Sequence, residues 1–183
     1  MPVEYVSGDL FANRFGAQAL AHGCNCRGSM GAGIAVGFRE RYPEMYEEYR
    51  RRCKATPREF NPGDVFLYKP NDGKPWVFNL ATQEGYWRSR ATYGAVEQTL
   101  QRMRALADAE RITSIAMPRI GAGMGGLSWR KVRDIVERVL GDWSGTAYVY
   151  DTYVPEPTDV ERSASGYESP AISRQGVDFQ GPI

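Results

Sequence analysis

His22, Cys24 and Cys26 fall within one short stretch, HGCNCRGSMGAGIAVGFRERYP, and His22 is the chain's only histidine. Soft ligands this dense suggest zinc, and a histidine two residues from a cysteine suggests a thiolate nucleophile beside its base. Zinc needs a fourth ligand, however, and the remaining cysteine, Cys53, stands in a helical context without a CxxC partner. On a strand, His22 and Cys24 share a face while Asn25 takes the other. Side by side in a buried sheet, such residues ordinarily end as core.

The glycines suggest a third chemistry. Gly23, Gly28, Gly31, Gly33 and Gly37 flank the end of an apolar segment and the start of a helical one, where unpaired N–H groups and the helix dipole can hold a phosphate. The same arrangement recurs at MPRIGAGMGGLSW, where Gly121 to Gly126 follow an apolar strand and precede a helix that Ser128 would cap and Gly141 would close. Two such loops can clasp a diphosphate from both sides. GxxxxGK[ST] is absent, as are the spacing and later acid of a dinucleotide fold. The expected ligand is therefore a diphosphate gripped without a P-loop lysine.

The elements that would position these loops are legible from periodicity. VEYV, AQALAHGCN, GDVFLYK, WVFNLAT, ITSIAMPRI and TAYVYDTY have strand length and character. GAGIAVGFRERY and EMYEEYRRRC read as two helices divided at Pro43. ATYGAVEQTLQRMRALADAE and SWRKVRDIVERVLGDW repeat apolar residues at helical spacing. Interleaved in this way, they predict a layered α/β domain. Its 183 residues suffice for one domain, expected over 1–154, followed by a tail over 155–183 rich in Pro, Ser and Gly.

Composition narrows the function classes. Charged residues make up 25% of the chain and hydrophobic ones 42%, as in a globular protein, and no apolar run is long enough to span a membrane. A net charge of +1 gives no electrostatic case for general nucleic-acid or membrane binding. With no basic leader and an odd number of cysteines, a cytoplasmic, reducing setting is expected; the chain is expected to be a monomer.

VSGDLF, HGCNCRGSMGAGIAVGFRERYP, NLAT and MPRIGAGMGGLSW, in this order across about residues 3 to 154, resemble the four signature segments of the macrodomain, the ADP-ribose-binding family. The likeness is strongest to the branch holding terminal ADP-ribose protein glycohydrolase, DarG and the yeast ADP-ribose-1″-phosphate phosphatase. It implies a three-layer α/β/α fold around a central mixed sheet and needs no metal or cofactor. By the resemblance, Asp9 accepts from the adenine amine with the Leu10 N–H at the ring edge, and Asn25 lies near the distal ribose. Gly31, Ala32, Gly33, Ile34 and Ala35 line one side of the diphosphate, and Gly121, Ala122, Gly123, Met124 and Gly125 the other. Thr82 of NLAT joins the site, and Tyr150 or Tyr153 stacks on the base. Bland roles compete: Asp9 fits an N-cap, and strand tyrosines usually pack in a core.

The chain departs from the glycohydrolases of this branch. Gln83 and Glu84 occupy the place of their catalytic lysine, and glycine stands at 125 and 126 where the human enzyme carries an acid. A lysine adduct is thereby closed. The resemblance then implies either hydrolysis by positioning, with water held by Asn25 or Gln83 and Glu84 as base, or binding alone. The expected substrate is mono-ADP-ribose esterified to protein Glu or Asp. The alternatives are a non-catalytic reader and an ADP-ribose-1″-phosphate phosphatase. Trp87, Arg88 and Arg90 in GYWRSR fit either a surface loop or a nucleic-acid contact, so an ADP-ribosylated nucleic acid is a further candidate partner.

Overall fold

The computed structural model describes residues 1–156. Six strands, β1 (Val3–Gly8), β2 (Ala19–Asn25), β3 (Val65–Tyr68), β4 (Trp76–Gln83), β5 (Ser114–Pro118) and β6 (Thr146–Tyr153), form one sheet in the order β1-β6-β5-β2-β4-β3. All neighbours run parallel except β3, which lies antiparallel at the edge. The sheet is thus mixed and central, as expected. Four helices, α1 (Ile34–Arg41), α2 (Pro43–Lys54), α3 (Tyr93–Ala109) and α4 (Trp129–Leu140), cover its two faces.

Alternation along the strands sorts side chains between the two faces. Ala19 and Ala21 join Val96, Leu100 and Met103 of α3 and Val132, Ile135 and Val136 of α4 in one core, whereas Leu20 and Cys24 join Phe38, Met45, Tyr49 and Cys53 of α1 and α2 in the other. α2 opens at Pro43, whose missing N–H costs nothing at a first helical position. Thr92 caps α3, its hydroxyl accepting from the Ala95 N–H at 3.1 Å.

Three local expectations are corrected. Ser128 precedes α4, but its side chain makes no capping bond. Gly141 ends α4 in a right-handed conformation (φ −64°), so no left-handed closure is used. The β2/β4 register shifts between Cys24 and Asn25, and this irregularity brings the Asn25 side chain to Tyr49 of α2, on the side that Cys24 also faces. The tail predicted over 155–183 falls outside the described residues except for its first two positions. Among the described residues no helix is long and apolar enough to cross a membrane.

Leu100 is wholly buried between α3 and the sheet. Leu100→Ala should cost about 2–5 kcal/mol, read as a lower urea midpoint at unchanged slope. A loss under about 1 kcal/mol would contradict this packing.

Candidate functional site

Every loop of interest leaves the carboxyl end of a parallel strand, where open α/β sheets form their crevices. A cleft of about 480 Å³ opens there, lined by Asp9, Leu10 and Phe11 after β1, by Gly33, Ile34, Gly37 and Arg41 along α1, and by Pro118, Tyr150 and Tyr153. It brings together Asp9, Leu10, Gly33, Ile34, Gly37, Tyr150 and Tyr153 of the residues the sequence marks out. Phe11, Pro118 and Arg41 join them without having been marked out by the sequence. The 33, 37, 41 spacing along one helix face was the signal available for Arg41.

Asp9 serves as a cap, its Oδ1 accepting from the Phe11 N–H at 2.9 Å ahead of a one-turn 3-10 helix over Leu10–Ala12. A carboxylate accepts at both oxygens, so the cap leaves Oδ2 for a ligand. Tyr153 is 73% exposed at the cleft, whereas Tyr150 is buried within β6 and its hydroxyl has no hydrogen-bond partner among the described residues.

The first loop is braced from within. Asn25 Oδ1 accepts from the N–H groups of Arg27 (3.0 Å) and Ser29 (3.3 Å) and lies 2.9 Å from the Tyr49 hydroxyl, while Nδ2 donates to the Ser29 carbonyl at 2.7 Å. The amide oxygen is therefore saturated, and one N–H remains for any ligand. Beyond this brace, the N–H groups of Gly31, Ala32, Gly33, Ile34 and Ala35 meet no acceptor among the described residues. Gly33 caps α1 with φ +61° and ψ −149°, a conformation closed to other residues.

The second loop folds on itself. Leu127 N–H donates to the Gly121 carbonyl at 3.0 Å, and the Gly125 carbonyl receives the Ala91 N–H at 3.0 Å. A methyl group at Gly125 would stand 2.5 Å from the Gly121 carbonyl oxygen. The N–H groups of Gly123, Met124 and Gly125 donate to nothing among the described residues, while Ala122 N–H is spent on Arg119. The two loops face each other, because a Cβ on Gly33 would lie 3.1 Å from Met124 Cγ.

Gln83 pairs with Asn25 across the β2/β4 ladder, so these two do meet. The Gln83 amide donates to the Gly85 carbonyl at 2.6 Å, which leaves its oxygen open. Glu84 is held by Arg58 through two bonds of 2.5 and 2.9 Å, with Arg27 at 3.3 Å. Hydrogen bonding from Arg58 holds its carboxyl below the usual carboxylate range, which weakens it as a proton acceptor. Thr82 is buried, its hydroxyl turned onto the Cys24 carbonyl at 3.5 Å and over Gly23. Its side chain is part of the sheet and not of the cleft.

His22 and Cys24 do lie side by side, 3.6 Å from Nε2 to Sγ. Burial pushes His22 down to about 4, and burial raises the Cys24 thiol well above its normal value, so the pair is neutral. His22 instead bonds Asn79 at 2.8 Å and stacks on Phe38 at 3.9 Å between ring centres. Among the described residues no cluster of His, Cys, Asp or Glu is arranged to hold a metal ion.

Two opposed loops with free main-chain N–H groups beside a cleft of about 480 Å³, at the carboxyl ends of five consecutive parallel strands, mark an α/β domain of a particular kind. Residues 21–136 match the Macro domain family model, and the chain belongs to that family. It is 32% identical over 168 residues to the DNA ADP-ribosyl glycohydrolase of Mycobacterium tuberculosis, covering 91% of this chain but only 45% of that relative. Human ADP-ribose glycohydrolase OARD1 is 33% identical over 141 residues, covering 75% of this chain and 84% of that one. The macrodomain of Thermus aquaticus DarG superposes with a TM-score of 0.72 at 30% identity, over 81% of this chain and 97% of that one.

His22 titrates at about 4 when folded and near 6.5 when exposed. The unfolded chain binds the extra proton, so stability should rise with pH between about 4 and 6.5 and level off above. His22→Gln should flatten that part of the urea-unfolding profile. An unchanged slope would show that His22 is not buried neutral.

Proposed function

We propose that residues 1–154 form a single domain that binds ADP-ribose and hydrolyses its bond to a modified macromolecule, the linkage being an ester to protein Glu or Asp. The observation that supports this most is the pair of opposed loops at Gly33 and Met124, whose free N–H groups suit a diphosphate. Asp9 and Tyr153 would then take the adenine end. Asn25 and Gln83, paired across the ladder, would stand at the distal ribose.

Gln83 forms no adduct, so the reaction rests on placement. Water held by the Gln83 carbonyl oxygen and the remaining Asn25 N–H adds to the anomeric carbon as the bond to the acyl oxygen breaks. The carboxylate departs with the electron pair and the spare proton passes to solvent. A carboxylate is a good leaving group, which is why an ester suits a site lacking a strong acid. Glu84 orders the loop by bridging Arg27 and Arg58 and moves no proton. Three free cysteines suit a reducing, cytoplasmic setting, and the chain is taken as a monomer.

A second substrate class, ADP-ribosylated nucleic acid, is favoured by one feature. Tyr86 and Trp87 are 61% and 79% exposed beside Arg88 and Arg90, a set able to stack on bases and hold phosphate. The name of the mycobacterial relative supports the same reading.

Incubation with a glutamate-linked mono-ADP-ribosyl peptide should release free ADP-ribose, and Gln83→Ala should slow release at least about tenfold. Faster release from an ADP-ribosylated DNA oligonucleotide, lost in Trp87→Ala, would shift the substrate to nucleic acid. Phosphate release from ADP-ribose-1″-phosphate alone would assign the phosphatase. Tight ADP-ribose binding with no cleavage of any of these would make the protein a reader.

A further inference from the structure

One helix face measures out the cleft. Gly33, Gly37 and Arg41 recur at four-residue spacing along α1 and all line the same space. At 1.5 Å per residue, Arg41 lies about 12 Å along the axis from the Gly33 N-cap. A diphosphate at that cap would extend its nucleoside toward Gly37 and Arg41.

Gly37 has no side chain because the space is taken. A methyl group there would fall 2.5 Å from Phe11 Cε2, so the Phe11 ring lies directly on the helix. That ring is fixed edge-on against buried Phe38, with centres 4.8 Å apart. Over it sits the Arg41 guanidinium, 4.0 Å from the ring centre, with one nitrogen donating to the Gly37 carbonyl at 3.3 Å.

Nothing anionic engages this guanidinium among the described residues: eleven ion pairs occur there and Arg41 is in none. The acid on the same cleft, Asp9, spends one oxygen on the Phe11 N–H. A planar cation at stacking distance from an aromatic ring, anchored at one edge and free of a counter-ion, offers its other face to a flat partner.

We propose that Arg41 is the platform on which the purine of a nucleoside-diphosphate ligand stacks, and so a specificity-determining residue for the base. Phe11 holds the guanidinium from below, Gly37 lets Phe11 approach, and Asp9 Oδ2 takes the exocyclic amine that distinguishes adenine. This rests on the ADP-ribose reading and adds to it the group that selects the nucleobase.

Arg41→Ala and Arg41→Lys separate stacking from charge, since lysine keeps the cation and lacks the plane. Calorimetry with ADP-ribose should show both variants about tenfold weaker than the parent protein, within the range of one lost base stack. UDP-ribose, with its smaller ring, should bind the parent protein less tightly and lose less in either variant. Melting temperatures should be unchanged, since Arg41 is exposed. Full affinity in Arg41→Lys would mean that charge alone acts and would overturn the platform, as would full affinity in Arg41→Ala. A parent protein that binds UDP-ribose and ADP-ribose equally well would also overturn it. No ADP-ribose binding by the parent protein would instead end the functional reading, and this inference with it.

Discussion

The Tyr49 hydroxyl, enclosed on α2, lies 2.8 Å from the Asn25 main-chain oxygen and 2.9 Å from its side-chain oxygen. Through this contact a helix on one face of the sheet fixes the end of β2. Asn25 in turn collects two main-chain N–H groups and returns one bond to Ser29, so that the loop leaves the strand in a single conformation. The positions of Gly33, of the start of α1 and of the helix face carrying Gly37 and Arg41 all follow from that exit. A buried amide satisfied in this way is worth far more as a constraint than as a stabilising bond, because a wrong loop would strand it unpaired.

Charge plays a supporting part around that frame. Glu84 ties the residue after β4 to Arg58 and to Arg27 of the first loop, and its main-chain oxygen also receives the Cys26 N–H at 3.2 Å. Partly exposed ion pairs contribute little stability individually. Here they register two loops against each other at the point where Gln83 and Asn25 meet. The neutral His22, stacked on Phe38, belongs to the same support, since Phe38 is the surface against which Phe11 stands.

Much of the fold was legible because its signals are local and strong. The alternation of strand and helix periods locates all six strands and four helices, and Pro43 marks the break between α1 and α2. The glycine loops were legible as loops, and the macrodomain resemblance rested on them. Long-range roles were not. Nothing in EMYEEYRRRC distinguishes Tyr49 as the partner of Asn25, and the bulge that turns Asn25 toward it leaves no mark in alternating residues. Glu84 next to a site reads as a base until Arg58, 26 residues away in sequence, is seen to occupy both its oxygens. Thr82 reads as a ligand contact until the register places it over Gly23. Arg41 carries no mark of its own within GFRERY, and only the absence of a side chain at Gly37 and the ring of Phe11 give it a face.

A grip assembled from peptide amides has no ionisable member, so a rise in pH that discharges a lysine-based or histidine-based anion pocket leaves it untouched. Evolution cannot delete it by swapping a functional group either; it can only obstruct it by adding carbon at Gly33 or Gly125. Residues elsewhere on the rim are then at liberty to drift, and a lineage keeping these two loops can exchange one linkage chemistry for another without surrendering its hold on the shared part of the substrate.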